Sequence, residues 1–64
     1  MKYYCEVIKT GEVYEGNRDK LIINVANEFN TSREAARDML DTSDIDNPIW
    51  LESFGERVWI EEKR

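Results

Sequence analysis

Histidine is absent from the 64 residues, and cysteine occurs once, at Cys5. Without histidine the chain lacks the side chain that most often serves as acid–base catalyst or metal ligand near neutral pH. With one cysteine no intrachain disulfide can form, and a reducing cytoplasm is the expected compartment. Cys5 lies in a run of strand character, where burial raises a thiol's pKa and leaves it inert, so a structural role is expected. Basic residues are scarce as well: 9 Lys and Arg stand against 14 Asp and Glu, a net charge of −5. Binding a phosphate backbone needs clustered Lys and Arg. The balance therefore argues against nucleic acid and anionic membrane as direct partners, and for a basic protein surface. The opening MKYYCEVIK has no apolar run long enough for a signal-peptide core, and no segment approaches the length of a membrane span.

What remains is the composition of a small α+β domain, 41% hydrophobic and 36% charged. Residues 1–64 leave room for one core, and a core this small gives a thin margin of stability. Residues 3–15, YYCEVIKTGEVYE, alternate as a β-hairpin with Thr10-Gly11 at the turn. A two-residue loop there pairs Ile8 with Val13 and Val7 with Tyr14. It puts Tyr3, Cys5, Val7 and Tyr14 on one face, and Glu6 against Glu15 on the other.

Asn17 is a reasonable N-cap for a first helix. Leu21, Ile22, Val25, Ala26 and Phe29 then share one arc at helical spacing, with Ile23 off it. Thr31-Ser32-Arg33-Glu34 has the pattern of a capping box, opening a second helix that turns Ala35, Ala36, Met39 and Leu40 inward. This helix should end near Asp41 or Thr42.

The polar loop DTSDIDNP, residues 41–48, has Ile45 as its apolar anchor. Its aspartates invite a calcium reading, but Pro48 and Ile49 fall where an EF-hand starting at Asp44 needs a ligand and a glycine. No metal and no cofactor is expected. Residues 49–62, IWLESFGERVWIEE, form a second hairpin. Pairing Leu51 with Val58 gathers Ile49, Leu51, Val58 and Ile60 on an apolar face. The other face then has Trp50 opposite Trp59 and Glu52 opposite Arg57. The element order is ββααββ: a four-stranded antiparallel sheet made of two hairpins, with two short helices on one face.

Residues 21–40 resemble a helix-turn-helix unit, through Val25-Ala26, Phe29, Asn30-Thr31-Ser32, Ala36 and Met39. The resemblance implies a small winged helix-turn-helix regulator that reads DNA with Arg33 and Arg37 on the second helix. Asn30 departs from the glycine usual at the corner. Glu34 and Asp38 cancel the two arginines, and residues 28–46 hold six acidic side chains against two basic ones.

That acidic run supports a different expectation. Glu34, Asp38, Asp41, Asp44 and Asp46 could occupy a basic groove built for phosphates, with Trp50 and Trp59 as apolar anchors. In size and charge the chain resembles the small phage proteins that inhibit restriction or CRISPR nucleases. A non-enzymatic, acidic protein-interaction module is the leading expectation. The DNA-binding regulator is the alternative, and a structural homodimer joined through the tryptophan face is a third.

Overall fold

Two of the three glycines set the registers of both hairpins. In the computed structural model, which describes residues 1–61, strands β1 (Lys2–Val7) and β2 (Val13–Glu15) are separated by residues 8–12, and the Val7 N–H bonding the Glu12 carbonyl closes a loop of Ile8-Lys9-Thr10-Gly11. Strands β3 (Ile49–Leu51) and β4 (Glu56–Glu61) are joined by Glu52-Ser53-Phe54-Gly55, whose first three residues make a 3₁₀ turn. Each four-residue loop ends on a glycine with positive φ, +74° at Gly11 and +62° at Gly55, followed directly by a glutamate. The two-residue turn expected at Thr10-Gly11 would have needed Thr10 in that region too, which a side chain with a Cβ resists; the same strain at Phe54 favours the four-residue loop that the sequence also allowed for the second hairpin, here over residues 52–55.

The longer loops move each register by two residues. Tyr14 pairs with Cys5 instead of Val7, and Val58 pairs with Ile49 instead of Leu51. A shift of two leaves every side chain on its expected face, because strand side chains alternate with period two. It changes the partners, however. Glu6 meets Val13 rather than Glu15, and Trp50 meets Arg57 rather than Trp59. Residue 62, the expected end of the second hairpin, lies outside the described residues.

The four strands form one antiparallel sheet in the order β2-β1-β4-β3, so the first and last strands are neighbours at its centre. Helices α1 (Arg18–Glu28) and α2 (Arg33–Asp41) cover one face. Asn17 caps α1, its side chain accepting the Lys20 N–H at 3.1 Å. Helix α1 ends in a Schellman turn. The Thr31 N–H bonds the Ala26 carbonyl at 3.0 Å, and Asn30 takes the left-handed position at φ +50°. Asparagine tolerates that conformation better than other residues with a Cβ, and so can stand where glycine is usual. The cap of α2 is Ser32, which accepts from the Ala35 N–H at 3.2 Å, one residue later than the expected Thr31–Glu34 box. Helix α2 ends at Asp41, with Thr42 as its C-cap.

Leu21, Ile22, Val25, Ala26, Ala36 and Leu40 from the helices meet Cys5, Ile49, Leu51, Val58 and Ile60 from the sheet in one core. Met39 and Tyr3 pack against its edge. Three expected inward positions lie outside it: Phe29, the C-cap of α1, is 46% exposed, Ala35 is half-buried at the flank of α2, and Ile45 is exposed on its loop. The Cys5 thiol sits against Gly16, where an added Cβ would come within 2.8 Å of the sulfur and 2.9 Å of Leu21. No helix among the described residues is long and apolar enough to cross a membrane.

Candidate functional site

The sheet face away from the helices carries Tyr4 and Glu6 from β1, Val13 and Glu15 from β2, Arg57 and Trp59 from β4, and Trp50 from β3, by strand alternation and register. Arg57 organises its centre. Its Nε donates to the Glu6 carboxylate, and the guanidinium carbon lies 5.3 Å from the Trp59 ring centroid and 5.8 Å from that of Trp50. Both distances fall within the range of cation–π attraction. Tyr4 stacks on the other neighbour of this row, its ring 6.0 Å from Trp59 at an interplanar angle of 29°. The tryptophans therefore do not pair with each other as the sequence register implied. They flank an arginine.

That arrangement divides the two indoles. Trp59 is 5% exposed, whereas Trp50, on the short edge strand, is 52% exposed. Val13 and Ile8 are also half exposed. The glutamate–arginine clamp thus joins a buried indole at the centre of this face to exposed aromatic and aliphatic surface at Trp50 and Val13. The register implied by the sequence sets Arg57 opposite Glu52. With the register moved by two, Glu52 falls in the 3₁₀ turn and Arg57 reaches Glu6 on the far hairpin, a contact no local pattern could announce.

The acidic residues separate into two groups. Asp44 lies beside Ile45, Trp59, Ile60 and Glu61 around a groove of about 310 Å³, at the rim of the open face. Its Oδ1 accepts the N–H groups of Asp46 at 2.9 Å and Asn47 at 2.8 Å, so the carboxylate also shapes the loop that presents Asp46. Glu34 and Asp38 are on α2. Glu34 lines a separate groove of about 480 Å³ together with Arg18, Asp19, Ile22, Ile23, Arg33 and Arg37. Asp38 lies 3.7 Å from Arg37, and Asp41 lies 3.5 Å from Arg18. The acidic edge expected along α2 is therefore interleaved with guanidinium groups, Arg18 being the one the sequence reading did not include. Arg33 and Arg37 do share a groove, with Arg18 as its third cation and Asp19 and Glu34 as its carboxylates.

Two titrating groups on the helix side are displaced. Burial pushes the Cys5 thiol up from its ordinary value. The Tyr14 phenol is raised further, chiefly because its hydroxyl donates to the Glu56 carboxylate across the sheet. Both shifts favour the neutral form, which suits a structural thiol and a structural hydroxyl. Among the described residues no three Cys, Asp or Glu side chains gather as a metal would require. Comparison with protein-family models, with curated proteins and with solved structures finds no match to this chain.

Proposed function

We propose that the chain is a non-enzymatic protein-interaction module, whose recognition surface is the open sheet face together with the acidic loop at its rim. The observation that carries this reading is Trp50, half exposed beside an arginine clamped between two indoles and a carboxylate. Aromatic residues and arginine dominate the energetics of protein interfaces, and a side chain already held in place loses less entropy on binding. Asp44 beside this face, with Asp46 in the same exposed loop and a net charge of −5 on the chain, favours a partner surface rich in Lys and Arg. Such a partner is a nucleic-acid-handling protein whose basic groove the module occupies, in the manner of a phage-type inhibitor acting in the cytoplasm.

Affinity capture from the native host with the wild-type chain, a Trp50→Ala variant and an Asp44→Lys/Asp46→Lys variant tests the reading. A partner retained by the wild type and lost from both variants is the expected result. Retention of the same partner by both variants would overturn it. A gel-shift titration at low salt distinguishes the regulator reading: retarded DNA that is released by Arg33→Glu and Arg37→Glu would favour the helix pair instead.

A further inference from the structure

The backbone of β3 carries a second, more specific message. The Val7 N–H bonds Glu12 and the Gly16 N–H bonds Tyr3, so the odd residues of β1 face β2. The Ile8 N–H bonds the Gly55 carbonyl, so the even residues of β1 face β4 and the odd residues of β4 answer them. That leaves Glu56 and Val58 of β4 to bond Leu51 and Ile49 of β3. The N–H and C=O of Trp50 consequently point away from the sheet, at its free edge.

Alongside this edge runs a groove of about 400 Å³, lined by Phe29, Met39, Pro48, Ile49 and Trp50 with Glu28 and Glu52. A second groove of about 230 Å³ continues it past Met39, Pro48 and Ile49 toward Ser43. The larger groove's lining holds two carboxylates and no cation. One Glu28 oxygen accepts the Ser53 N–H at 3.1 Å, which orients that carboxylate while leaving its charge.

We propose that β3 accepts an extended segment of a basic partner as a fifth strand, paired through the Trp50 backbone. This rests on the reading of the chain as a protein-binding module and names the mode of binding: main-chain hydrogen bonds supply affinity and alternate side chains supply specificity. The residue of the incoming strand opposite Trp50 lies on the open face beside the indole. Its two neighbours turn toward Phe29, Met39 and Ile49, so they should be aliphatic. Lys or Arg at the flanking positions returns to the Trp50 side of the strand, on a stem long enough to reach the Glu52 and Glu28 carboxylates that line the groove. A second copy of the chain fits less well, because it brings a further net charge of −5 and the same two carboxylates to the edge.

The probe is the capped peptide Lys-Val-Lys-Val-Lys, compared with Asp-Val-Asp-Val-Asp. Amide hydrogen exchange of the intact chain is followed by NMR, with sedimentation equilibrium alongside. With the lysine peptide at saturation, exchange of the Trp50 amide should slow by about tenfold or more, while the aspartate peptide has no effect. Trp50→Pro removes the donor at an edge position where proline is tolerated, and should abolish binding. Trp50→Val keeps the donor and should retain amide protection at position 50. If Trp50→Pro fails to fold, the exchange data on the wild type decide.

The proposal is overturned if neither peptide slows the Trp50 amide, or if protection appears at Val13 and Glu15 on the opposite edge. It is also overturned if the chain alone sediments as a dimer with that amide already protected. If Trp50→Pro still captures a host partner that Asp44→Lys/Asp46→Lys loses, the interaction module stands and the edge-strand mode falls.

Discussion

Arg57→Ala isolates the clamp on the open face. The Arg57 and Glu6 side chains are 29% and 19% exposed, so their interaction is only partly screened by solvent. A hydrogen bond to a charged group in such a setting contributes about 1.5–3 kcal/mol. Each cation–π contact adds about 0.5–1 kcal/mol. Allowing for partial relaxation, the substitution should cost about 2–4 kcal/mol. The whole stability expected of a 64-residue chain is only about 3–10 kcal/mol. Urea unfolding, followed by tryptophan fluorescence and far-UV circular dichroism, reads the loss. With a slope near 1 kcal/mol per molar for so small a domain, the midpoint should fall by about 2 M or more. Arg57→Lys keeps the charge but not the planar group that lies between two rings, and should fall between the two. A double-mutant cycle with Glu6→Gln should give a coupling of about 1–2 kcal/mol. A cost below about 0.5 kcal/mol with negligible coupling would place Arg57 among ordinary surface ion pairs and refute the clamp.

Three further outcomes follow from the same geometry. Gly16→Ala should lose about 1–3 kcal/mol in urea unfolding, because its methyl would press on Cys5 and Leu21; Cys5→Ala in the same chain should recover part of it, and a neutral Gly16→Ala would contradict the close approach. Asn30→Gly should leave stability equal or slightly higher, whereas Asn30→Val should cost about 1–2 kcal/mol through the left-handed corner, measured as a shift in thermal midpoint. Cys5 and Tyr14 are both raised in the folded state, so their contribution is fully present below the unfolded values and declines as pH rises above 9.0 for the thiol and 10.0 for the phenol. Stability should therefore fall above about pH 9, and Cys5→Ala/Tyr14→Phe should flatten that fall; an unchanged slope in the double variant would disprove the assignment.

The parts of the fold legible in the sequence are those governed by period and local chemistry. Alternation identified the strands and their faces, and helical spacing identified the arc of Leu21, Ile22, Val25 and Ala26. Asn17 was readable as a cap because its role depends on neighbours within one turn. Register was harder, since a loop two residues longer satisfies the same alternation. The discriminating signal was steric: only the glycine of Thr10-Gly11 and of Phe54-Gly55 accepts positive φ without strain, which favours the loops observed. Trp50 and Trp59 were legible as a pair of interest, but their unequal exposure depends on Arg57 reaching Glu6 across two strands from opposite ends of the chain. The acidic run was legible as composition. Its pairing with Arg18 depends on how α1 and α2 cross, which no spacing rule supplies.

The placement of β1 beside β4 has a consequence for how the molecule comes into being. Lys2 pairs with Glu61, so the sheet closes only when segments nearly a chain length apart meet. A nascent polypeptide bearing the first hairpin and both helices still lacks the strand that covers Cys5 on its far side, and it carries Leu21, Val25 and Leu40 without their partners. Contacts of such long sequence separation slow folding, because loop closure must precede the reward of burial. The same adjacency sets Lys2 beside Glu61. A short linker from Glu61 to Lys2, with the chain opened at the Gly11–Glu12 bond, should give a permuted chain whose central pairing is formed between neighbours in sequence, and which folds faster for that reason.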